Sequence, residues 1–130
     1  MKLLLDTCAI LHFSVSPERL SPATLAMLAA PDCEVWCSAI SIGEVACLHE
    51  RGRIAIEGHW KTWFRTLLEV NGWNLAAITG DIVEEAYSLP EPVHRDPADR
   101  ILIATSRTLR MPLVTTDRLI LEYPHVDARE

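Results

Sequence analysis

A chain of 130 residues, 49% of them hydrophobic, can bury about two-thirds of the surface its unfolded form exposes and needs no covalent staple. A formal net charge of -6 excludes a surface that attracts nucleic acid over its whole extent, though not a local basic rim. Cys8, Cys33, Cys37 and Cys47 include no C-x-x-C pair and read as buried free thiols in a reducing cytoplasm. The apolar run at the amino terminus is too short for a signal peptide or a membrane span. One cytoplasmic domain over residues 1–130 is therefore expected.

Leu3-Leu4-Leu5 has no polar alternation, the pattern of a strand buried on both faces within a parallel sheet covered by helices. The strand stops at Asp6, which belongs at a carboxyl end of the sheet, where open α/β folds place ligands. Asp6-Thr7 also suits a plain helix start, and Cys8 to Phe13 reads as a short helix or turn. Ser14 to Pro22 is a polar connection. Ser21-Pro22 opens a helix over residues 23–30, which Pro31-Asp32 stops. Glu34 to Ser38 is a second strand.

Ser41-Ile42-Gly43-Glu44 has the form of a capping box ahead of an amphipathic helix. The Glu44 carboxylate could bond the backbone of Ser41, or face the strand ends, or both. Arg51-Gly52-Arg53 ends this helix. A further helix is predicted from Ile56 to Val70, with Trp60, Trp63, Phe64, Leu67 and Leu68 as a wide apolar stripe. Such a stripe is either core or a partner face. Asn71-Gly72 stops the helix. Trp73 to Ile78 reads as a third strand, and Ile82 to Leu89 as a helix entered through Thr79-Gly80-Asp81.

His94-Arg95-Asp96-Pro97-Ala98-Asp99-Arg100 is the most informative run. Asp96 is an N-cap, Pro97 the first helical residue and Asp99 the third. The helix is expected to reach Leu109, with Ala98, Ile101, Leu102, Thr105 and Leu109 facing the core. Capping explains Asp96 well and Asp99 less well, because Asp99 borders the buried stripe. Leu113 to Thr116 is a fourth strand ending on Asp117, which can also cap a short helix through Glu122. Val126 to Ala128 could add a last strand.

Each acid alone has a structural explanation. Together, Asp6 and Asp117 end strands while Glu44 and Asp99 begin helices, and a parallel sheet puts those positions on one edge. Carboxylates crowded there repel one another, and a hard cation removes that penalty. Asp6 and Asp99 are the expected direct or near-direct ligands of Mg2+, with Glu44 and Asp117 acting partly through water. The expected chemistry is phosphodiester hydrolysis. Thr7, Ser41 and Thr116 could orient waters or phosphates. Arg95, Arg100 and Arg118 flank the acids and could touch a nucleic-acid backbone, although a solvated surface charge is the plainer reading of each. His94 could be a base, or an exposed loop histidine.

Leu3-Leu4-Leu5-Asp6-Thr7, Ser41-Ile42-Gly43-Glu44, His94 to Ala104 and Leu113-Val114-Thr115-Thr116-Asp117, in that order and spacing, resemble the PIN-domain proteins, and specifically the VapC-type ribonuclease toxins of bacterial toxin–antitoxin pairs. The resemblance implies a three-layer α/β/α sandwich with a mostly parallel sheet in order 3-2-1-4-5, Mg2+ or Mn2+ as cofactor, and endonucleolytic cleavage of RNA. Its acid positions fall on Asp6, Glu44, Asp99 and Asp117, with Asp96 as an auxiliary. It further implies a homodimer silenced by a VapB-like antitoxin. Where the family often has a hydroxyl or amide residue two positions after the first acid, this chain has Cys8. That cysteine also disfavours an aspartate-based phosphatase, which needs a second aspartate there. A phospho-receiver wants an aspartate ending the third strand, and none stands there. A catalytically silent PIN scaffold is the remaining alternative.

Overall fold

The computed structural model describes residues 1–130. Five strands, β1 (Lys2–Leu5), β2 (Glu34–Ser38), β3 (Asn74–Ala76), β4 (Leu113–Val114) and β5 (Ala128–Arg129), form one sheet in order β3-β2-β1-β4-β5. Every pairing is parallel, so the sheet is wholly rather than mostly parallel. Seven α-helices connect the strands: α1 (Thr7–Val15), α2 (Pro22–Ala29), α3 (Ala39–Glu50), α4 (Trp60–Asn71), α5 (Gly80–Ala86), α6 (Pro97–Leu109) and α7 (Arg118–Leu121).

The central strand shows why the sheet needs helices on both sides. Leu3, Leu4 and Leu5 are each 0% exposed. Leu3 and Leu5 join one cluster with Ile10, Leu28, Val35 and Phe64, while Leu4 joins another with Leu102, Ile103, Leu113 and Ile120. Successive side chains of a strand point to opposite faces, so one leucine run feeds two cores. Burying each such side chain stabilises the fold by roughly 1.5–3 kcal/mol. The tryptophan stripe of α4 packs inward: Phe64 is buried, and Trp60, Trp63, Leu67 and Leu68 lie partly buried against the first cluster.

Most helices begin on a side chain that accepts a backbone N–H: Asp6 for α1, Ser21 for α2, Ser38 for α3, Thr79 for α5, Asp96 for α6 and Asp117 for α7. Gly72, at φ 65°, ends α4 in the left-handed conformation that glycine adopts without a steric penalty.

Several expectations are corrected. The helix carrying Glu44 starts three residues earlier than a capping box at Ser41 requires. Ser38 is its N-cap and Ser41 is buried in its first turn. The helix expected from Ile56 starts at Trp60, after Gly58 at φ 72°. β3 is three residues rather than six, because its partner β2 ends at Ser38, opposite Ala76. β4 is cut to two residues for the same reason, since β1 ends at Leu5 opposite Val114. Leu109 is 43% exposed and takes no part in the core, whereas Ile103, Ala104 and Ser106 do. Only Cys37 among the cysteines is buried; Cys8 and Cys47 are exposed. No helix is long and apolar enough to cross a membrane.

Candidate active site

The carboxyl edge of the sheet gathers the acids. Asp6 follows β1 directly and is 3% exposed. Its Oδ1 accepts the Ala9 N–H at 2.7 Å, which caps α1, and its Oδ2 accepts the Thr115 hydroxyl. Thr115 in turn accepts the Asp117 backbone N–H at 3.0 Å. One buried hydroxyl therefore ties the end of β1 to the end of β4. Asp117 caps α7 with Oδ1, at 2.9 Å from the Leu119 N–H, which leaves Oδ2 for the site.

Glu44 arrives from the second turn of α3, not from a helix start. The Thr7 hydroxyl donates to Glu44 Oε1. A hydroxyl has one hydrogen, so the 2.8 Å contact between Thr7 and Ser41 makes Ser41 the donor to Thr7. Thr7 and Ser41 thus orient Glu44.

Asp99 stands in the first turn of α6, its N–H bonded at 3.1 Å to the Asp96 carboxylate. His94 closes the group: its Nε2 lies 3.3 Å from Asp99 Oδ2 and 3.9 Å from Asp117 Oδ2. One ligand atom from each of His94, Asp99 and Asp117 falls within 4.8 Å of the others.

The electrostatics follow from this crowding. Burial pushes Asp99 up to about 7, helped by Asp96, Asp117, Glu44 and Asp6. Burial also pushes Asp6 up to about 6, against the Thr115 and Ala9 hydrogen bonds and with help from Asp117 and Glu44. Glu44 is raised by burial, against the Thr7 hydrogen bond and with help from Asp96. The Cys8 thiol is pushed up to about 11 by desolvation of its sulfur and then by Asp6, Glu44, Asp99 and Asp117. The four acids thus share the carboxyl edge of the sheet and feel one another's charge, but the tight group of ligand atoms is that of His94, Asp99 and Asp117, with Asp6 and Glu44 outside it. Crowded, half-desolvated carboxylate oxygens are the donor set of a hard divalent cation, so these residues fit Mg2+ or Mn2+.

The other candidates separate. Asp96 is exposed and spends one oxygen on the α6 cap. Thr116 makes no hydrogen bond to the acids; the threonine that does is Thr115. Arg100 turns towards α5, its Nη1 3.4 Å from the Ala86 carbonyl and its guanidinium 5.4 Å from the Tyr87 ring centre. Arg118 is exposed and reaches Glu130 at 4.0 Å. Arg95 is exposed at the lip of a groove that runs from His94 past Val93 to Leu119 and Tyr123. A second depression, between Arg110, Pro112 and His125, lies at the start of β4, on the edge of the sheet away from the acids.

The family model of the PIN domain matches residues 3–126 of this chain. The chain belongs to the PIN-domain family. Among the relatives to which this PIN domain is similar is Ribonuclease VapC22 of Mycobacterium tuberculosis, 34% identical over 122 residues, or 94% of this chain and 92% of the relative. A toxin–antitoxin complex from Klebsiella pneumoniae contains a chain 24% identical, at a TM-score of 0.66, matched over 98% of this chain and 96% of the other. VapBC2 from Rickettsia felis, bound to a DNA fragment from its promoter, is 13% identical at a TM-score of 0.70, over 99% and 98%. Identities this low speak to the fold. The fold they speak to is this one: a five-stranded parallel sheet in order 3-2-1-4-5.

Of the residues beside the acids, Thr115 has no role in the sequence reading, and His94 is there a base or an exposed loop histidine. Thr115 is the last residue to pair with β5, through its N–H to the Arg129 carbonyl at 2.9 Å, so it is held in the sheet while Thr116 is not. The two threonines are adjacent, and the sequence carries no sign of which one meets Asp6. His94 looks like a loop histidine in sequence, yet its side chain is only 17% exposed.

Proposed function

We propose that this PIN domain is a divalent-metal-dependent endoribonuclease, the toxin of a toxin–antitoxin pair. The observation that carries the reading is the placement of Asp6, Glu44, Asp99 and Asp117 on one edge of the sheet, where burial and then the neighbouring carboxylates push Asp99 up to about 7. The ribonuclease name of the 34%-identical relative supports the reaction, and the toxin–antitoxin complexes among similar structures support an antitoxin partner.

In this reading Asp6 and Asp99 are the direct or near-direct metal ligands, and Glu44 and Asp117 act partly through water. When bound, Mg2+ or Mn2+ supplies charge stabilisation at the scissile phosphate and makes an attacking water more acidic. The protein's own groups do the rest. Thr115 fixes Asp6 and offsets part of the burial that raises its pKa, Thr7 and Ser41 orient Glu44, and Asp96 sets the α6 turn that presents Asp99. Without a cation these acids repel a phosphate, so metal dependence follows from their charge. The groove beside His94, with Arg95 at its lip, offers a path for the RNA backbone. A cytoplasmic homodimer silenced by a VapB-like antitoxin belongs to the same proposal.

Purified protein should cleave RNA with Mg2+ or Mn2+. Cleavage should be lost in chelator and fall by at least about 100-fold in Asp6→Asn or Asp99→Asn, on the order of 3 kcal/mol of transition-state stabilisation. Equal cleavage in all conditions would overturn the assignment. A wild type that binds an antitoxin but cleaves nothing would make this a silent scaffold.

A further inference from the structure

His94 lies two residues before the N-cap of α6 and is outside the acid set. In a full capping box, the third helical residue reaches back to the N–H of the N-cap. Here that third residue is Asp99. It leaves the Asp96 N–H to the Nδ1 of His94, at 3.2 Å, and the imidazole completes the box in its place. Asp99 is thereby freed to face the site. A ring nitrogen that accepts a hydrogen bond carries no hydrogen, so the hydrogen of the neutral ring is on Nε2. Nε2 lies 3.3 Å from Asp99 Oδ2 and 3.9 Å from Asp117 Oδ2, close contacts that fall short of hydrogen-bond geometry.

We propose that His94 is a positioning residue, whose Nε2–H edge faces Asp99 and steadies that carboxylate through the N–H dipole, and that it is not itself a metal ligand. The proposal rests on the reading of these acids as a metal site. Direct ligation through Nε2 would move the ring hydrogen to Nδ1, where it would meet the Asp96 N–H donor to donor. A hydrogen on Nε2 keeps the Asp96 bond and turns a positive edge towards Asp99. It also sets one ring between two separate elements, the first turn of α6 and the junction of β4 with α7. Polar neighbours of metal-binding carboxylates orient them, and their loss weakens metal affinity by about 10–100-fold.

The test is Mn2+ titration of the full-length apo protein by calorimetry, with pulsed electron paramagnetic resonance of the Mn2+-loaded form. His94→Ala should weaken Mn2+ binding by about 10-fold. His94→Gln, whose amide nitrogen can donate from a similar position, should recover most of that loss. The wild type should show no nitrogen bound directly to Mn2+. Unchanged affinity in His94→Ala, no recovery in a folded His94→Gln, or a directly bound nitrogen that disappears in His94→Ala would each overturn the proposal. If the wild type binds no Mn2+, the metal site itself falls and this proposal with it; if it binds Mn2+ and the variants match it, only the role of His94 falls.

Discussion

The site is built from side chains that each serve the fold with one atom and the acid cluster with another. Asp117 caps α7 with Oδ1 and turns Oδ2 to His94. Asp6 caps α1 with Oδ1 and takes the Thr115 hydroxyl on Oδ2. Thr115 is the sharpest case, because it donates to a buried carboxylate and accepts from the backbone of a second acid. Hydrogen bonds to charged groups contribute about 1.5–3 kcal/mol each. Thr115→Val should therefore destabilise the metal-free protein by about 2 kcal/mol in urea unfolding at pH 7.5. Thr116→Val, which breaks no bond to the acids, should stay within about 0.5 kcal/mol of wild type. Equal losses would show that the two threonines share the task. Capping and catalysis were rival explanations of each acid in the sequence. In the structure Asp6 and Asp117 each cap a helix with one oxygen and turn the other to the acid cluster, so the cap does not compete with the proposed role.

Helix starts position the site at the scale of elements. The first turn of α6 brings Asp99 inward, while Asp96 caps it from an exposed position. Asp96→Ala should cost about 1 kcal/mol of stability, and Asp96→Asn, an equally good cap, should cost little. Both remove a negative charge beside Asp99, so both should lower its pKa. Urea unfolding separates the cap from the charge, and equal stability loss in the two variants would contradict the capping role. Local pattern made β1, β2 and α6 legible, because their signals are continuous: three leucines, Glu34 to Ser38, and Asp-Pro followed by an apolar stripe. The start of α3 was not legible. Ser38 and Ser41 are both plausible caps, and the choice depends on Thr7, which is 34 residues from Ser41 in the chain and takes the Ser41 hydroxyl. The lengths of β3 and β4 were hidden for a similar reason, since each is limited by where its neighbour stops. The place of His94 among the acids depends on the approach of α6 to the end of β4, and no local pattern encodes it.

For the whole molecule, the parallel sheet gathers negative charge at one edge, and the metal-free fold should bear that cost. Asp6 and Asp99 hold their protons to about pH 6 and 7, while in the unfolded chain they lose them near their ordinary value of 3.8. Below about pH 4 both states are protonated and the cost is absent. Between there and about pH 7 the folded state binds more protons than the unfolded one, so stability falls as pH rises, and it levels off above. For Asp6 the loss is on the order of 2–3 kcal/mol. Melting temperatures of the wild type in chelator should thus drop between pH 4.5 and 7.5 relative to those of Asp6→Asn and Asp99→Asn. Mn2+ at pH 7.5 should restore the wild type but not the variants. Parallel pH profiles in all three proteins would show that the acids are not coupled to folding.

The central claim is that a doubly charged cation belongs where Asp6, Glu44, Asp99 and Asp117 meet. Anomalous diffraction from crystals grown with Mn2+ tests it most directly. The account predicts a Mn2+ peak in contact with carboxylate oxygens of Asp6 and Asp99, with Glu44 and Asp117 within reach through water. Mn2+ peaks confined to other surfaces, or none at all at saturating Mn2+, would contradict it.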